Sequence, residues 1–455
     1  MDTKFSIDLL FAEIKKLHLI VEQQTAEIVA LKAELTLLKN KKNSNNSHIP
    51  PSKDENRPKR NQSLREKSGK KPGGQPGHAG TTLLCSAVVD ELVEHIPAYC
   101  TCCGLDLSNK PKLELEARQV IDIPVIKPSC TEHRSYAKTC NCGHQTVGHF
   151  PSTVVANVQY GPGVEALLGY MHARQYMPYA RLKEFFNDVF NLPISTGGVN
   201  HVLSRMVRKA GPSYDRIKER IKQAVFVGTD ETGAKVNGDL HWIWVWQNQK
   251  LTFITHSDNR GFATIKDTFP DGLPNAVLQH DRWAAHFNCD ALHHQICMAH
   301  LLRDLNYLNE LYQDCSWSVK MKALILAALQ LKKEYNPVDY LGPNQQREDF
   351  ETQLSELLQL PLQESYGKAR TLQKSLLKHQ QYILYFLHHP KVPPDNNGSE
   401  RAIRTIKVKQ KVSGQFKSEQ GANGFAILRS VIDTVIKSGQ NVLATLSLIA
   451  RMGTE

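Results

Sequence analysis

The chain has no run of about 18 or more apolar residues, which excludes a conventional transmembrane helix. Its first residues, Met1 to Lys4, do not open a signal peptide, so we expect a cytoplasmic protein that makes no membrane contact. A disulfide framework is not expected either, because ten cysteines in a cytosolic chain of 455 residues are better explained as thiols and metal ligands.

Acidic residues are fewer than basic ones, 45 against 56, and the isoelectric point lies near 9.0. This excess of positive charge favours a polyanionic partner such as DNA. The length indicates two to four domains, with ample residues for a sizeable core.

Apolar residues are almost absent from residues 39–80, so this segment cannot form a core. We predict a disordered basic linker over residues 41–82. Eleven basic residues and three acidic ones give residues 39–80 a charge of +8, out of +11 for the chain. Such an arm binds DNA phosphates without sequence preference, although a plain solvated tether is the alternative. The predicted DNA contacts here are Lys59, Arg60, Lys70 and Lys71.

Residues 5–40 contain an apolar heptad repeat and are predicted to form a coiled coil. The a positions are mostly β-branched and the d positions are mostly Leu, which favours a parallel homodimer or a higher oligomer. Pairing with another coiled-coil protein and packing on the protein's own surface are the alternatives. The a residues are Ile14, Val21, Ile28 and Leu35, and the d residues are Leu10, Leu17, Leu31 and Leu38.

Residues 83–155 are predicted to form a zinc ribbon-like domain, because they contain two Cys–Gly knuckles. Cys100 and Cys103 have the usual C-x-x-C spacing, whereas Cys140 and Cys142 are spaced C-x-C. Together they supply four thiolates for one structural Zn²⁺, with His144 as an alternative ligand. A ribbon of this kind recognises DNA ends or contacts other proteins.

Residues 156–222 are predicted to be helical, with one helix ending at Phe190 and a second capped by Ser195 and continuing through Met206. A helix-turn-helix with Ser195, Thr196, Asn200 and Arg205 toward DNA is one interpretation. We favour a structural or DNA-supporting helical domain, because Gly197 and Gly198 weaken a recognition helix.

Two aspartates follow strand-like runs in the predicted first part of the core, residues 223–300. Asp230 ends the apolar run that begins at Ala224, and Asp281 ends a second run. Alternating tryptophans at 242–246 and an apolar run at 251–255 predict two further strands, which form a meander with the first.

Glu400 lies in the first turn of a helix, because breaker and capping residues precede it at 393–399. Two aspartates from adjacent strands and this glutamate predict a site for two Mg²⁺ or Mn²⁺ ions, since hard oxygen ligands suit these metals. A single strand-end aspartate is more often a turn former, so spacing alone does not establish the site. Residues 301–392 read as an all-helical insertion, and 393–455 complete the core with C-terminal helices.

Cationic residues without interspersed carboxylates follow Glu400 and are spaced three or four apart, which predicts a basic helix face that holds DNA phosphates. This predicted basic face consists of Arg401, Arg404, Lys407 and Lys411.

Four ordered motifs resemble the successive signatures of the insertion sequence 66 family of bacterial transposases, and the ribbon and linker segments match as well. The motifs occupy residues 227–233, 280–286, 297–303 and 396–404. The resemblance implies a ribonuclease H-like mixed-sheet core of DDE type with Asp230, Asp281 and Glu400 as its acidic residues. Cys297 and His300 resemble a C-x-x-H element that supports such cores, in preference to a metal site with His294.

The resemblance also implies metal-dependent cleavage of transposon ends and joining of the 3′ hydroxyls to target DNA, with small companion transposition proteins as partners. The predicted architecture is therefore a multidomain α/β DNA transposase. Two other classes of function stay open at this point. They are a nuclease with the same core but no strand transfer, and a non-catalytic zinc-ribbon regulator that binds DNA.

Overall fold

A computed structural model describes residues 2–39, 42–43, 46–47, 77 and 83–453. The chain divides into two compact units, and each is described by itself. One unit comprises Pro58–Ser129, and the other comprises Met1–Arg57 with Cys130–Glu455. Lys59, Arg60, Lys70 and Lys71 of the predicted linker lie outside the described residues.

The N-terminal heptads form one continuous helix, α1, over Asp2–Lys39. No Gly or Pro interrupts this stretch, so nothing in it breaks a helix. Its apolar side chains stay about half exposed along the described part of the helix, for example 53% for Ile14 and 50% for Ile28. The helix is as predicted, and its pairing with a second chain stays a prediction.

The smaller unit, as described from residue 83, contains one short antiparallel bridge between Tyr99 and Asp106. In the larger unit, β1 (Ala137–Thr139) and β2 (Gln145–Val147) form an antiparallel hairpin.

Helices follow the hairpin, as predicted for this region. They are α2 (Pro162–Gly169), which continues into a π-helical turn at Tyr170–Arg174, then α3 (Tyr179–Phe190) and α4 (Thr196–Lys222). Asn191 in the left-handed region ends α3, and the Ser195 hydroxyl caps α4 by accepting the Gly198 N–H. We predicted α4 only through Met206. It runs on past Pro212, where Ile217 and Ile221 bury an apolar face in the main core.

A five-stranded mixed sheet forms the centre of the larger unit, which confirms the mixed α/β class. The strand order is β5-β4-β3-β6-β7. Neighbours within the first three strands are antiparallel, and the β3–β6 and β6–β7 pairs are parallel. The strands are β3 (Phe226–Val236), β4 (Asp239–Gln247), β5 (Thr252–Ser257), β6 (Leu273–His280) and β7 (Ala291–Ile296), with α5 (Phe262–Thr268) before β6 and α6 (Ala284–Phe287) before β7.

The prediction that Asp230 ends its strand is wrong. Strand β3 continues to Val236, because Asn237 and Gly238, both with positive φ, close a tight hairpin that keeps β3 paired with β4. Asp230 instead lies just beyond the point where the parallel pairing of β3 with β6 stops, at Gly228.

The described chain between β7 and residue 396 contains helices and short 3₁₀ turns but no strand, in line with the predicted insertion. These helices bury an apolar cluster that includes Trp317, Leu354 and Leu376, and the cluster extends to Phe226 and Val277 of the sheet. The insertion helices are α7 (Met298–Leu311), α8 (Ser316–Glu334), α9 (Gln345–Gln359) and α10 (Gly367–Lys378). Three further helices complete the unit, α11 (Asn397–Ser413), α12 (Glu419–Lys437) and α13 (Val442–Arg451). Among the described residues, none of the helices is apolar enough over a sufficient length to cross a membrane.

Candidate active site

The sheet register places Asp230 and Asp281 side by side. Gly228 of β3 is the parallel partner of Gln279 of β6, and each aspartate lies two residues beyond its member of that pair. Residues two apart in a strand point to the same face of a sheet. Asp281 directly follows β6, as predicted, and the two carboxylates therefore lie at one level of two neighbouring strands.

Glu400 lies in the first turn of α11, also as predicted. The residues before it are bonded to β3, because the buried Asn396 donates its side-chain N–H to the Thr229 carbonyl at 2.7 Å. The Ser399 hydroxyl donates to Asn396 Oδ1 at 2.6 Å. The start of α11 is thereby fixed next to Asp230.

Two glycines permit this close approach of α11 to the sheet. A Cβ on Gly228 would lie 2.6 Å from Asn396 Oδ1 and 2.8 Å from Gln247 Nε2. A Cβ on Gly398 would overlap the Gln247 side chain. Neither position has room for a larger residue, so the distance between Asp230 and Glu400 depends on both.

The segment that precedes α11 is bonded to other elements of the sheet as well. Gln279 of β6 donates to the Pro393 carbonyl at 2.6 Å, and the Met298 N–H donates to the Pro394 carbonyl at 2.9 Å. The Asn396 N–H donates to Cys297 Sγ at 3.2 Å. The helical insertion thus leaves and re-enters the fold at points tied to the aspartate-bearing strands, which brings Glu400 to the site across 119 residues of sequence.

Cys297 is buried between β7 and α7, and burial raises the pKa of its thiol to about 11. A neutral thiol that receives the Asn396 N–H supports the loop before Glu400 and is a poor metal ligand. His300 lies in the first turn of α7. The supporting role of the pair stays a prediction.

The carboxylates at the site repel one another. Burial raises the pKa of Asp230 well above its ordinary value, and the charges of Glu231, Asp281 and Glu400 raise it further. The Glu231 N–H, which donates to Asp230 Oδ1 at 2.9 Å, partly opposes this. Divalent cations relieve such repulsion, so an oxygen-rich, electrostatically strained cluster fits the metals that the sequence predicts.

Asp281 is kept ionised by its neighbours. Burial alone would raise its pKa, but His286, the Trp283 N–H and His300 together bring the pKa below its usual value. His286 Nδ1 lies 3.3 Å from Asp281 Oδ1, and the Trp283 N–H donates to the same oxygen at 2.9 Å.

Sequence reasoning missed Glu231, His286 and Arg260 as members of this site. His286, fully buried, lies between Asp281 and Glu231, with Nε2 3.4 Å from Glu231 Oε2. Arg260 binds the other Glu231 oxygen at 2.9 Å. The available signal was Glu231 itself, a second carboxylate directly after Asp230 in a strand, since a buried ion at such a position needs partners.

Cationic side chains surround Glu400. Arg303 of α7 lies 3.4 Å from Glu400 Oε1, and Arg404 lies 3.9 Å from Oε2. Of the predicted basic face, Arg401, Arg404 and Lys411 are exposed. Lys407 instead donates to the Gly233 carbonyl at 2.7 Å and so helps to hold α11 on β3.

His280, Asp281 and His286 have ligand atoms within 4.8 Å of one another, and they are the one such group among the described residues. His280 is already engaged on both nitrogens, with the Asp281 carbonyl and with His294 Nδ1 at 3.0 Å. We therefore assign these histidines to the support of Asp281 and not to metal binding.

Each cysteine knuckle adopts a tight turn that a backbone hydrogen bond closes, across four residues in the first and three in the second. In the first, the Gly104 N–H donates to the Cys100 carbonyl at 2.9 Å, and in the second, the Gly143 N–H donates to the Cys140 carbonyl at 2.8 Å. Both glycines have positive φ. The backbone N–H groups of Cys103 and then Cys102 lower the pKa of Cys100, and that of Cys142 lowers the pKa of Cys140. Lowered pKa values favour the thiolates that bind zinc.

In the helical region, three of the four predicted DNA contacts, Ser195, Asn200 and Arg205, have intramolecular partners. Ser195 caps α4, and Arg205 Nε lies 2.8 Å from the buried Glu165 carboxylate. Tyr179 donates to Asn200 at 3.3 Å. These contacts favour the structural interpretation of this segment.

Comparison with protein families gives two matches. A model described as the transposase IS66 family matches residues 157–424, more than half of the chain, and this range includes Asp230, Asp281 and Glu400. A family of unknown function matches residues 5–83, which cover the predicted coiled coil and linker. No curated protein matches the chain. The family match confirms the resemblance read from the four motifs, and it implies a DNA-processing enzyme. The chain belongs to the IS66 family of transposases.

Proposed function

We propose that this transposase cleaves transposon ends and joins the freed 3′ hydroxyls to target DNA, with Asp230, Asp281 and Glu400 as its catalytic residues. The observation that supports the proposal is that β3, the end of β6 and α11 bring these three residues near enough for the charges of Asp281 and Glu400 to add to burial in raising the pKa of Asp230. The register of β3 and β6 aligns the aspartates, and Asn396 and Ser399 bind the glutamate-bearing turn to β3.

The three carboxylates are proposed to hold two Mg²⁺ or Mn²⁺ ions. When bound, such ions neutralise the carboxylates and assist both the attacking and the leaving oxygen in an in-line displacement. Burial first, and then the charges of the neighbouring carboxylates, raise the pKa of Asp230, and the trio contains neither a thiol nor an imidazole. Both features favour hard cations of this kind.

The proposed reaction has two steps. Water attacks the phosphorus at the transposon end, the bond to the 3′ oxygen breaks, and that oxygen leaves as a hydroxyl. This hydroxyl then attacks a phosphodiester of the target, so that one P–O bond forms as another breaks and no external energy source is needed. His286 keeps Asp281 oriented and ionised, while Arg404 and Arg401 are placed to bind the DNA phosphates beside Glu400.

The remaining architecture is proposed on the same basis. The five-stranded sheet is inferred to be the ribonuclease H-like core, interrupted by the helical insertion. The first helix is inferred to dimerise the chain, the basic linker to bind DNA phosphates, and the four-cysteine ribbon to hold one structural Zn²⁺. Companion transposition proteins belong to the same proposal, as do the domain boundaries given by the sequence.

The test is cleavage and strand transfer of transposon-end DNA in Mg²⁺ by Asp230→Asn, Asp281→Asn and Glu400→Gln. Each substitution keeps the shape and removes the charge, and we expect cleavage to fall at least about 100-fold. Asp239→Asn and Glu419→Gln are matched controls, because Asp239 is exposed in the β3–β4 hairpin and Glu419 lies in the first turn of another helix. Full activity of any trio variant would refute the assignment.

A nuclease without strand transfer is the second candidate, since the same trio supports hydrolysis. Pre-cleaved ends with a 3′ hydroxyl separate the two functions. Joined product supports the transposase reaction, whereas cleavage of intact ends without joining of pre-cleaved ends supports the nuclease.

A further inference from the structure

Trp283 differs from the other tryptophans of the chain. All five lie in the described residues, and Trp283 alone is exposed, with 39% of its surface accessible. It follows Asp281 by two residues, and its backbone N–H donates to Asp281 Oδ1. An indole at this place has no core to fill, so packing does not explain it.

The exposed ring is supported from one side. The Arg260 guanidinium lies 4.3 Å from the centre of the Trp283 ring and 4.8 Å from the Trp242 ring. Arg260 is itself held by Glu231, whose side chain is 1% exposed. A ring fixed by a stacked and anchored cation loses little freedom when a second planar group binds to it.

The surroundings suit a DNA strand. Arg303 and Arg404 flank Glu400, and the exposed Arg401 adds positive charge on the same helix. Because the Trp283 backbone N–H donates to Asp281 Oδ1, the indole belongs to a residue in direct contact with the carboxylate that is proposed to face the reacting phosphate. Successive nucleotides are only about 3.4 Å apart along a strand, so a neighbouring base reaches the ring.

We propose that Trp283, supported by Arg260, stacks an unpaired nucleobase next to the phosphate that is cleaved. The ligand class follows from the chemistry, because an exposed aromatic ring beside cationic side chains is a stacking platform for bases of any sequence. The inference rests on the proposed function of the site and adds to it a binding subsite for the flanking base. The competing interpretation is that Trp283 only covers Arg260.

A double-mutant cycle between protein and DNA tests the stacking. The affinity of the full chain for transposon-end duplex is measured by fluorescence anisotropy in Ca²⁺, for wild type, Trp283→Leu and Trp283→Phe. The same proteins are measured on duplexes that lack one base on either side of the cleaved phosphate. Leu292→Ala, at an exposed apolar residue of β7, serves as the control.

We expect Trp283→Leu to weaken binding of intact DNA about 5- to 150-fold, the range for loss of one stacked base, and Trp283→Phe to retain most of the affinity. On one of the two abasic duplexes the difference between wild type and Trp283→Leu should vanish, because the contact is already lost. An equal loss on intact and both abasic duplexes would overturn the stacking.

Cleavage in Mg²⁺ is measured in parallel to separate the two proposals. Cleavage by wild type with no coupling in the cycle would overturn the stacking alone. Coupling without cleavage would overturn the proposed function alone. Wild-type protein that binds no DNA would overturn both.

Discussion

At the scale of residues, the buried His286 lies between the carboxylates of Asp281 and Glu231. Strand and helix signals in the sequence predict the proposed trio of Asp230, Asp281 and Glu400, but they do not predict these supporting side chains. Glu231 and His286 act through contacts between separate elements, with His286 placed between the two carboxylates by α6. Such contacts depend on strand register, and register is a tertiary property that local patterns do not specify.

One prediction at this scale concerns Gly228, because the side chains of Asn396 and Gln247 occupy the space that a Cβ at this position would need. Gly228→Ala should lower the free energy of unfolding by about 1–3 kcal/mol, the usual cost of overpacking. Gly211→Ala is the matched control, since Gly211 lies inside α4 with no atom within 4 Å of an added Cβ. That change should raise stability by about 0.5–1 kcal/mol through helix propensity. Thermal unfolding midpoints measure both, and an unchanged Tm for Gly228→Ala would contradict the close approach.

At the scale of elements, periodicity predicted most helices and strands, and the errors lie at their ends. Strand β3 outlasts its apolar run because the hairpin at Asn237 and Gly238 extends the pairing. Helix α4 outlasts its predicted end at Met206, because burial of Ile217 and Ile221 stabilises a helix that passes Pro212. In both cases tertiary contacts override local propensity.

The loop before α11 provides the element-scale prediction. In Asn396→Asp the residue keeps its shape but loses the N–H that binds the Thr229 carbonyl, and it gains a charge near the acidic trio. We expect Glu400 to shift and cleavage to fall about 10- to 100-fold, as for other residues that orient metal ligands, with partial recovery at high Mg²⁺. Asn397→Asp is the matched control, because it makes the same change one residue away at an exposed side chain. The cleavage rate is measured as a function of Mg²⁺ concentration. Equal rates and equal Mg²⁺ dependence in the two variants would show that the hydrogen bond from Asn396 to Thr229 does not position Glu400.

At the scale of the whole molecule, the exposed apolar side chains of the first helix raise the question of how many chains associate. Leu19 and Val29 are as exposed as Val21 and Ile28, at 56% and 57% against 57% and 50%. Exposure alone therefore does not identify the dimer surface. The heptad repeat predicts which face would pair, because it places Val21 and Ile28 at a positions and leaves Leu19 and Val29 on the outer face.

Paired lysine substitutions distinguish the two faces. We expect wild-type protein to have a mass of at least twice the 51.3 kDa of one chain, measured by light scattering during gel filtration. Val21→Lys with Ile28→Lys should lower it to the mass of a single chain, because like charges then meet at the seam. Leu19→Lys with Val29→Lys introduces the same charges on the outer face and should leave the mass unchanged. If both pairs dissociate the protein equally, or if wild type is already a monomer, the heptad seam is not the interface. Dissociation with retained single-end cleavage would further show that the active site is complete within one chain.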